Sequence, residues 1–183
     1  AYITRKTTMS TGITWQWDYD PLEGDSLSLV TGEYNTCAIK DNGDVYCWGR
    51  NGNGQIGNGQ ISSANTACGQ SGHKCKDVPT LTNVKGSNGY DAVSLAFGDR
   101  HACALLDDGD VVCWGRNNAG QLGTTGGDKD TPQAINLGTG RTATSIYAGG
   151  NYNCAILDDA SVKCWGQNDQ GQLGIGTSSN TNT

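Results

Sequence analysis

Short apolar runs come in pairs along this chain, each pair interrupted by three polar or small residues. Cys37-Ala38-Ile39-Lys40 is followed by Asp41-Asn42-Gly43 and then by Asp44-Val45-Tyr46-Cys47-Trp48. The arrangement returns from Cys103 to Trp114 around Asp107-Asp108-Gly109, and from Cys154 to Trp165 around Asp158-Asp159-Ala160. Apolar runs of this length bounded by turn residues predict strands, and a three-residue break ending in Gly predicts a hairpin with a left-handed last loop residue. Pairing Lys40 with Asp44 sets Ile39 opposite Val45 and Cys37 opposite Cys47. The second hairpin sets Leu105 opposite Val111 and Cys103 opposite Cys113. The third sets Ile156 opposite Val162 and Cys154 opposite Cys164. Ala160 stands where the other two units have Gly, so keeping the turn costs about 1 kcal/mol of left-handed strain.

Both faces of these strands are apolar, with Cys, Ile or Leu and Val on one and Ala and Trp on the other. A sheet covered on one side alternates more cleanly, so this pattern predicts sheets packed face to face. Helical periodicity is nearly absent. The paired runs sit inside a longer internal repeat: residues 32–57, 98–123 and 149–174 align without gaps. Leu27-Ser28-Leu29, Val93-Ser94-Leu95 and Thr144-Ser145-Ile146 precede the three units at similar spacing, and Pro21, Pro79 and Pro132 stand a short way before each. Such periods mean supersecondary units that bury their faces against one another. The expected organisation is an N-terminal strand-like segment at 1–24 and repeat units at 25–80, 81–137 and 138–183, the last incomplete.

All eight cysteines find local partners in this register. Cys37 and Cys47, Cys103 and Cys113, and Cys154 and Cys164 face each other across a ladder, where Cα atoms lie ~4.5–5.5 Å apart, close enough for a disulfide. Cys68 and Cys75 close a small ring in the connection after the first unit. Complete local pairing points to an oxidising compartment, hence an extracellular or cell-surface location. Zinc at Cys68, His73 and Cys75 lacks a fourth ligand nearby, and a catalytic thiol lacks a spare cysteine.

Composition narrows the function. Gly supplies 28 of 183 residues and charged residues only 16%, which speaks for many tight turns and against disorder or a coiled coil. Net charge is −6, and the twelve Lys and Arg are scattered. Nucleic-acid binding needs a basic stripe, so no nucleic-acid partner is expected. No apolar run approaches the ~18 residues of a membrane span, so no membrane insertion is expected in this segment. Gly52-Asn53-Gly54-Gln55-Ile56-Gly57 fits a dinucleotide fingerprint, but no helix follows it, and the mechanism needs one. The Asp107/Asp108 and Asp158/Asp159 pairs belong to turns, where Asp bonds its own backbone. Calcium in these acidic turns stays open. The sequence points to no catalytic residue and to no cofactor or metal site. His101, aligned with Asn35 and Tyr152, is expected to bond neighbouring backbone. Trp48, Trp114 and Trp165 are expected as a core layer, and Asn51, Asn117 and Asn168 as braces of their own turns. Arg50 and Arg116, with Gln167 in the third unit, follow each Trp-Gly and form the candidate partner surface.

Gly98, Ala104-Leu105, Asp108-Gly109, Val111, Trp114-Gly115, Asn117 and Gly120-Gln121-Leu122-Gly123, with their counterparts in the other units, resemble the regulator of chromosome condensation repeat family. The likeness covers roughly residues 25–176, and the cysteines are similar to those of a secreted prokaryotic variant. It implies an all-β fold of β-propeller-type blades, each of four antiparallel strands, about three blades in number. Three blades do not close such a ring, so the chain is expected to be part of a larger propeller or a subunit completed by neighbours. The function expected is a non-enzymatic extracellular module for protein–protein interaction, adhesion or assembly, with a filament subunit as one form. Its partners would be proteins or copies of itself, met by loops 58–80 and 124–143. Inhibition of a secreted enzyme is the alternative, and nucleotide exchange on a small GTPase a more distant one.

Overall fold

Each apolar pair folds back at its polar break, and the strand before it and the strand after it complete a sheet. The computed structural model describes residues 26–61, 66–68, 73–85 and 89–182; the strand-like segment expected at 1–24 lies outside them. The first sheet contains β1 (Ser26–Thr31), β2 (Asn35–Lys40), β3 (Val45–Arg50), β4 (Thr66–Cys68) and β5 (His73–Thr82), in the order β1-β2-β3-β5-β4. The second contains β6 (Ala92–Phe97), β7 (His101–Leu106), β8 (Val111–Gly115) and β9 (Lys129–Ala134), in that order. The third contains β10 (Ala143–Ala148), β11 (Tyr152–Leu157) and β12 (Val162–Gly166), and a lone bridge from Gly166 to Thr181 stands at its fourth-strand position. The described residues form no helix. All described strand pairs are antiparallel.

The hairpin registers are those the turns dictate. Ile39 faces Val45, Leu105 faces Val111 and Ile156 faces Val162. Cys37–Cys47, Cys103–Cys113 and Cys154–Cys164 are disulfides, each with Cα atoms 4.1 Å apart. Cys75 is also disulfide-bonded. The side chain of Cys68, its expected partner, lies outside the described residues, as does that of His73.

The four-stranded antiparallel blade is seen whole in the second sheet; the first adds a short edge strand, β4, beside β5, and the third has a bridge in place of its fourth strand. One expectation is corrected. The segments 58–80 and 124–143, expected as loops, also supply most of β5 and all of β9. Neither stretch alternates strictly, and Pro79 and Pro132 interrupt them. Both prolines lie at stretches where the ladder slips, between Cys47 and Gly49 and between Cys113 and Gly115. A residue with no N–H to offer is tolerated at such a place.

The core is two layers between three sheets. In one, Cys37, Ile39, Val45 and Cys47 of the first sheet meet Ala102, Ala104, Leu106, Val112 and Trp114 of the second. In the other, Cys103, Leu105, Val111 and Cys113 of the second sheet meet Ala143, Ile146, Ala155, Leu157 and Trp165 of the third. The disulfide face of one blade always packs on the Ala-Trp face of the next. Small alanines let the sheets approach, and the indole fills the space beside them.

Candidate functional site

The residues nearest each blade junction explain why the repeat keeps its polar side chains. Trp114 donates its indole N–H to the Gln55 carbonyl at 2.9 Å, and Trp165 donates to the Gln121 carbonyl at 3.1 Å. Each tryptophan thereby reads the Gly-Gln-Ile/Leu-Gly loop of the blade before it. That loop is braced from inside. Asn117 accepts from the Leu122 N–H and donates to the Thr124 and Gly126 carbonyls, all at 2.9 Å. Asn51 and Asn168 do the same for their loops, accepting from Ile56 and Leu173. Buried backbone groups that lack a sheet partner are satisfied this way. The literal dinucleotide fingerprint is one of these braced loops.

His101 departs from expectation. It is fully buried, and its Nε2 bonds the Asn153 side chain of the next blade at 2.9 Å, not neighbouring backbone. Asn153 donates its amide to the Gln121 carbonyl at 2.7 Å, so its oxygen faces His101 and accepts a hydrogen bond from Nε2–H. The other ring nitrogen, Nδ1, is buried without a hydrogen-bond partner. Desolvation pulls the His101 pKa down to about 4, against the opposing pull of Asn153 and Asp99. Sequence reading missed Asn153 because its counterparts, Thr36 and Ala102, carry no such group; that departure from the repeat was the available signal.

The two ends of the hairpins differ in charge pairing. At the turn end, Lys85 bridges Asp44 at 3.0 Å and Asp91 at 2.8 Å, and also donates to the Asn42 carbonyl. Arg141 pairs with Asp158 at 3.1 Å and Asp159 at 3.2 Å. The Asp91 bond holds the Lys85 pKa above its ordinary value, and the Ser161 hydroxyl holds that of Asp159 below.

At the opposite end stand the predicted partner residues. Backbone bonds of 2.9–3.0 Å join Arg50 to Tyr34, Arg116 to Arg100 and Gln167 to Asn151, one equivalent pair per blade. The turns carrying Tyr34, Arg100 and Asn151 lie in a row, so close that a Cβ on Gly32 would sit 2.7 Å from the Gly98 carbonyl and one on Gly98 2.6 Å from that of Gly149. Arg50 and Arg116 are half-buried, not exposed. Arg50 lies over the Tyr34 ring at 5.5 Å, while its Nε is shut off from solvent with no partner. Gln167 is tied down on both sides, accepting from Asn151 at 3.1 Å and donating to Asp169 at 2.8 Å. Tyr34 and Arg100 were not singled out from sequence. Extending the hairpin ladder past the cysteines, where Asn35 faces Gly49 and His101 faces Gly115, would have found both.

Models of the regulator of chromosome condensation (RCC1) repeat match residues 28–55, 92–121 and 143–172, and a longer form of that repeat matches 42–105 and 108–156, more than half of the chain. The ultraviolet-B receptor UVR8 of Arabidopsis thaliana is 32% identical over 159 residues, covering 85% of this chain and 33% of the receptor. Protein pim1 of Schizosaccharomyces pombe is 30% identical, covering 82% of this chain and 29% of its own length. The chain thus spans about a third of these relatives. Among solved structures, yeast RCC1 (Prp20) bound to Kap60 superposes with a TM-score of 0.72 at 18% identity, over 85% of this chain and 35% of that one. Human WBSCR16 superposes with a TM-score of 0.55 at 16% identity, over 87% of this chain and 52% of that one. Likeness at these identities speaks to fold alone.

Proposed function

Because the chain belongs to the regulator of chromosome condensation (RCC1) repeat family, we propose that it is a non-enzymatic interaction module of an extracellular or cell-surface protein. Its disulfide-clamped blades join further blades, or copies of themselves, and offer their strand ends to protein partners. One observation carries this reading: the blade junction is periodic and is left open at the third sheet. Val45 and Val111 are 0% and 1% exposed beneath the next sheet, whereas the equivalent Val162 is 65% exposed. A face built to take an Ala-Trp surface, and uncovered, is a docking face. The cysteines support the location, since none is free among the described residues.

Sedimentation of the oxidised chain tests assembly. Association that Val162→Asp abolishes is expected; a particle of single-chain mass, the same in the variant, removes assembly by copies. A thiol assay on protein recovered natively tests the compartment, because a free-thiol count near eight ends the extracellular reading.

A further inference from the structure

We propose that the strand end carrying Tyr34, Arg50, Arg100 and Arg116 binds an acidic peptide segment of a protein partner, with carboxylates held by Arg100 and Arg116 beside the Arg50–Tyr34 stack. The proposal rests on the reading of the chain as an interaction module and names the partner chemistry of that site. Three observations carry it. First, the cations Lys85 and Arg141 at the turn end each bridge two carboxylates. The arginines of the other end have none, although Glu33 and Asp99 occupy the same turns. Second, Arg50 Nε is a buried donor without an acceptor, a state that costs free energy until a ligand supplies one. Third, the fold does not need arginine there: in the third blade the same two positions are Asn151 and Gln167, which bond each other.

A guanidinium fork matches a carboxylate with two parallel hydrogen bonds, and the planar cation stacks well on an aromatic ring. A short acidic peptide fits these guanidinium groups, which have no ion-pair partner. A nucleic acid fits it poorly, since a long polyanion would lie against a chain of net charge −6 and gain few counterion-releasing contacts.

Fluorescence anisotropy with the full disulfide-bonded chain and a labelled hexaglutamate peptide provides the test. The peptide is expected to bind in low salt, and the Arg100→Gln/Arg116→Gln double variant to bind roughly tenfold more weakly or worse. Arg141→Gln removes the same kind of charge at the other end and is expected to leave binding unchanged, while Arg100→Lys, which keeps charge but loses the fork, falls in between. Thermal melts of each variant identify any loss through misfolding, and in that case Arg100→Lys carries the comparison. No binding, equal binding by the double variant, or tighter binding of an oligonucleotide of equal charge overturns the proposal. Val162→Asp breaks assembly at a different face and leaves peptide binding intact, so the two readings fail separately.

Discussion

Ala160 shows how a single residue departs from its repeat while the fold holds. Its φ is +64°, beside +73° and +86° for Gly43 and Gly109, and its N–H reaches Leu157 O at 3.0 Å as its glycine counterparts reach Lys40 and Leu106. Ala160→Gly should therefore stabilise the protein by about 0.5–1 kcal/mol, relieved strain outweighing the added unfolded-chain entropy; urea midpoints measure it. The reverse change, Gly109→Ala, should cost more than this, because its Cβ would lie 2.5 Å from Thr142 Cβ. His101 gives a pH dependence of definite sign. Its pKa falls from an ordinary 6.5 to about 4 on burial, so between those values the unfolded chain binds the proton and the folded one does not. Stability is then intact above pH 6.5, is lost as pH falls, and bottoms out below about 4, a loss of roughly 3 kcal/mol from this group. Urea unfolding at pH 7.5 and 4.0 should show that loss shrinking in His101→Gln, even though the variant is weaker throughout. Identical losses in both proteins would contradict it.

At the scale of elements, the hairpins were legible because everything that sets them is local: turn chemistry fixes the register, and the register fixes which cysteines meet. The loop braces were legible for the same reason. Asn117 lies five residues from the N–H it accepts and seven and nine from the carbonyls it serves. Asn117→Ala orphans three backbone groups in the second blade and should cost about 2–4 kcal/mol, seen as a lower urea midpoint. An unchanged midpoint would mean that water or relaxation replaces the brace. The fourth strands were not legible, since β5 and β9 carry prolines and no strict alternation, and their pairing comes from lying alongside β3 and β8. The candidate site was half legible: Arg50, Arg116 and Gln167 follow from the repeat, whereas Tyr34 and Arg100 become their neighbours only through the ladder.

In the whole molecule, burial of a repeated position depends on whether another blade stands beside it. Val111→Ala should cost about 1–2 kcal/mol and Val162→Ala less than about 0.5 in the unassembled chain, though both occupy the same place in the repeat. Once Val162 is covered by another blade or copy, its cost should rise towards that of Val111, and melting curves at low and high protein concentration separate the two cases. By itself the sequence determined the all-β class, the three units, the hairpin registers and the cysteine partners within them, because each rests on contacts a few residues apart. Only the tertiary structure decided that His101 leans on Asn153, that an extra strand extends the first sheet, and that unpaired arginines gather at one end while the opposite end pairs its charges. Those outcomes depend on which sheet packs against which, over separations of fifty residues or more in the case of His101, and a periodicity repeated in every blade carries no record of the neighbour that each blade meets.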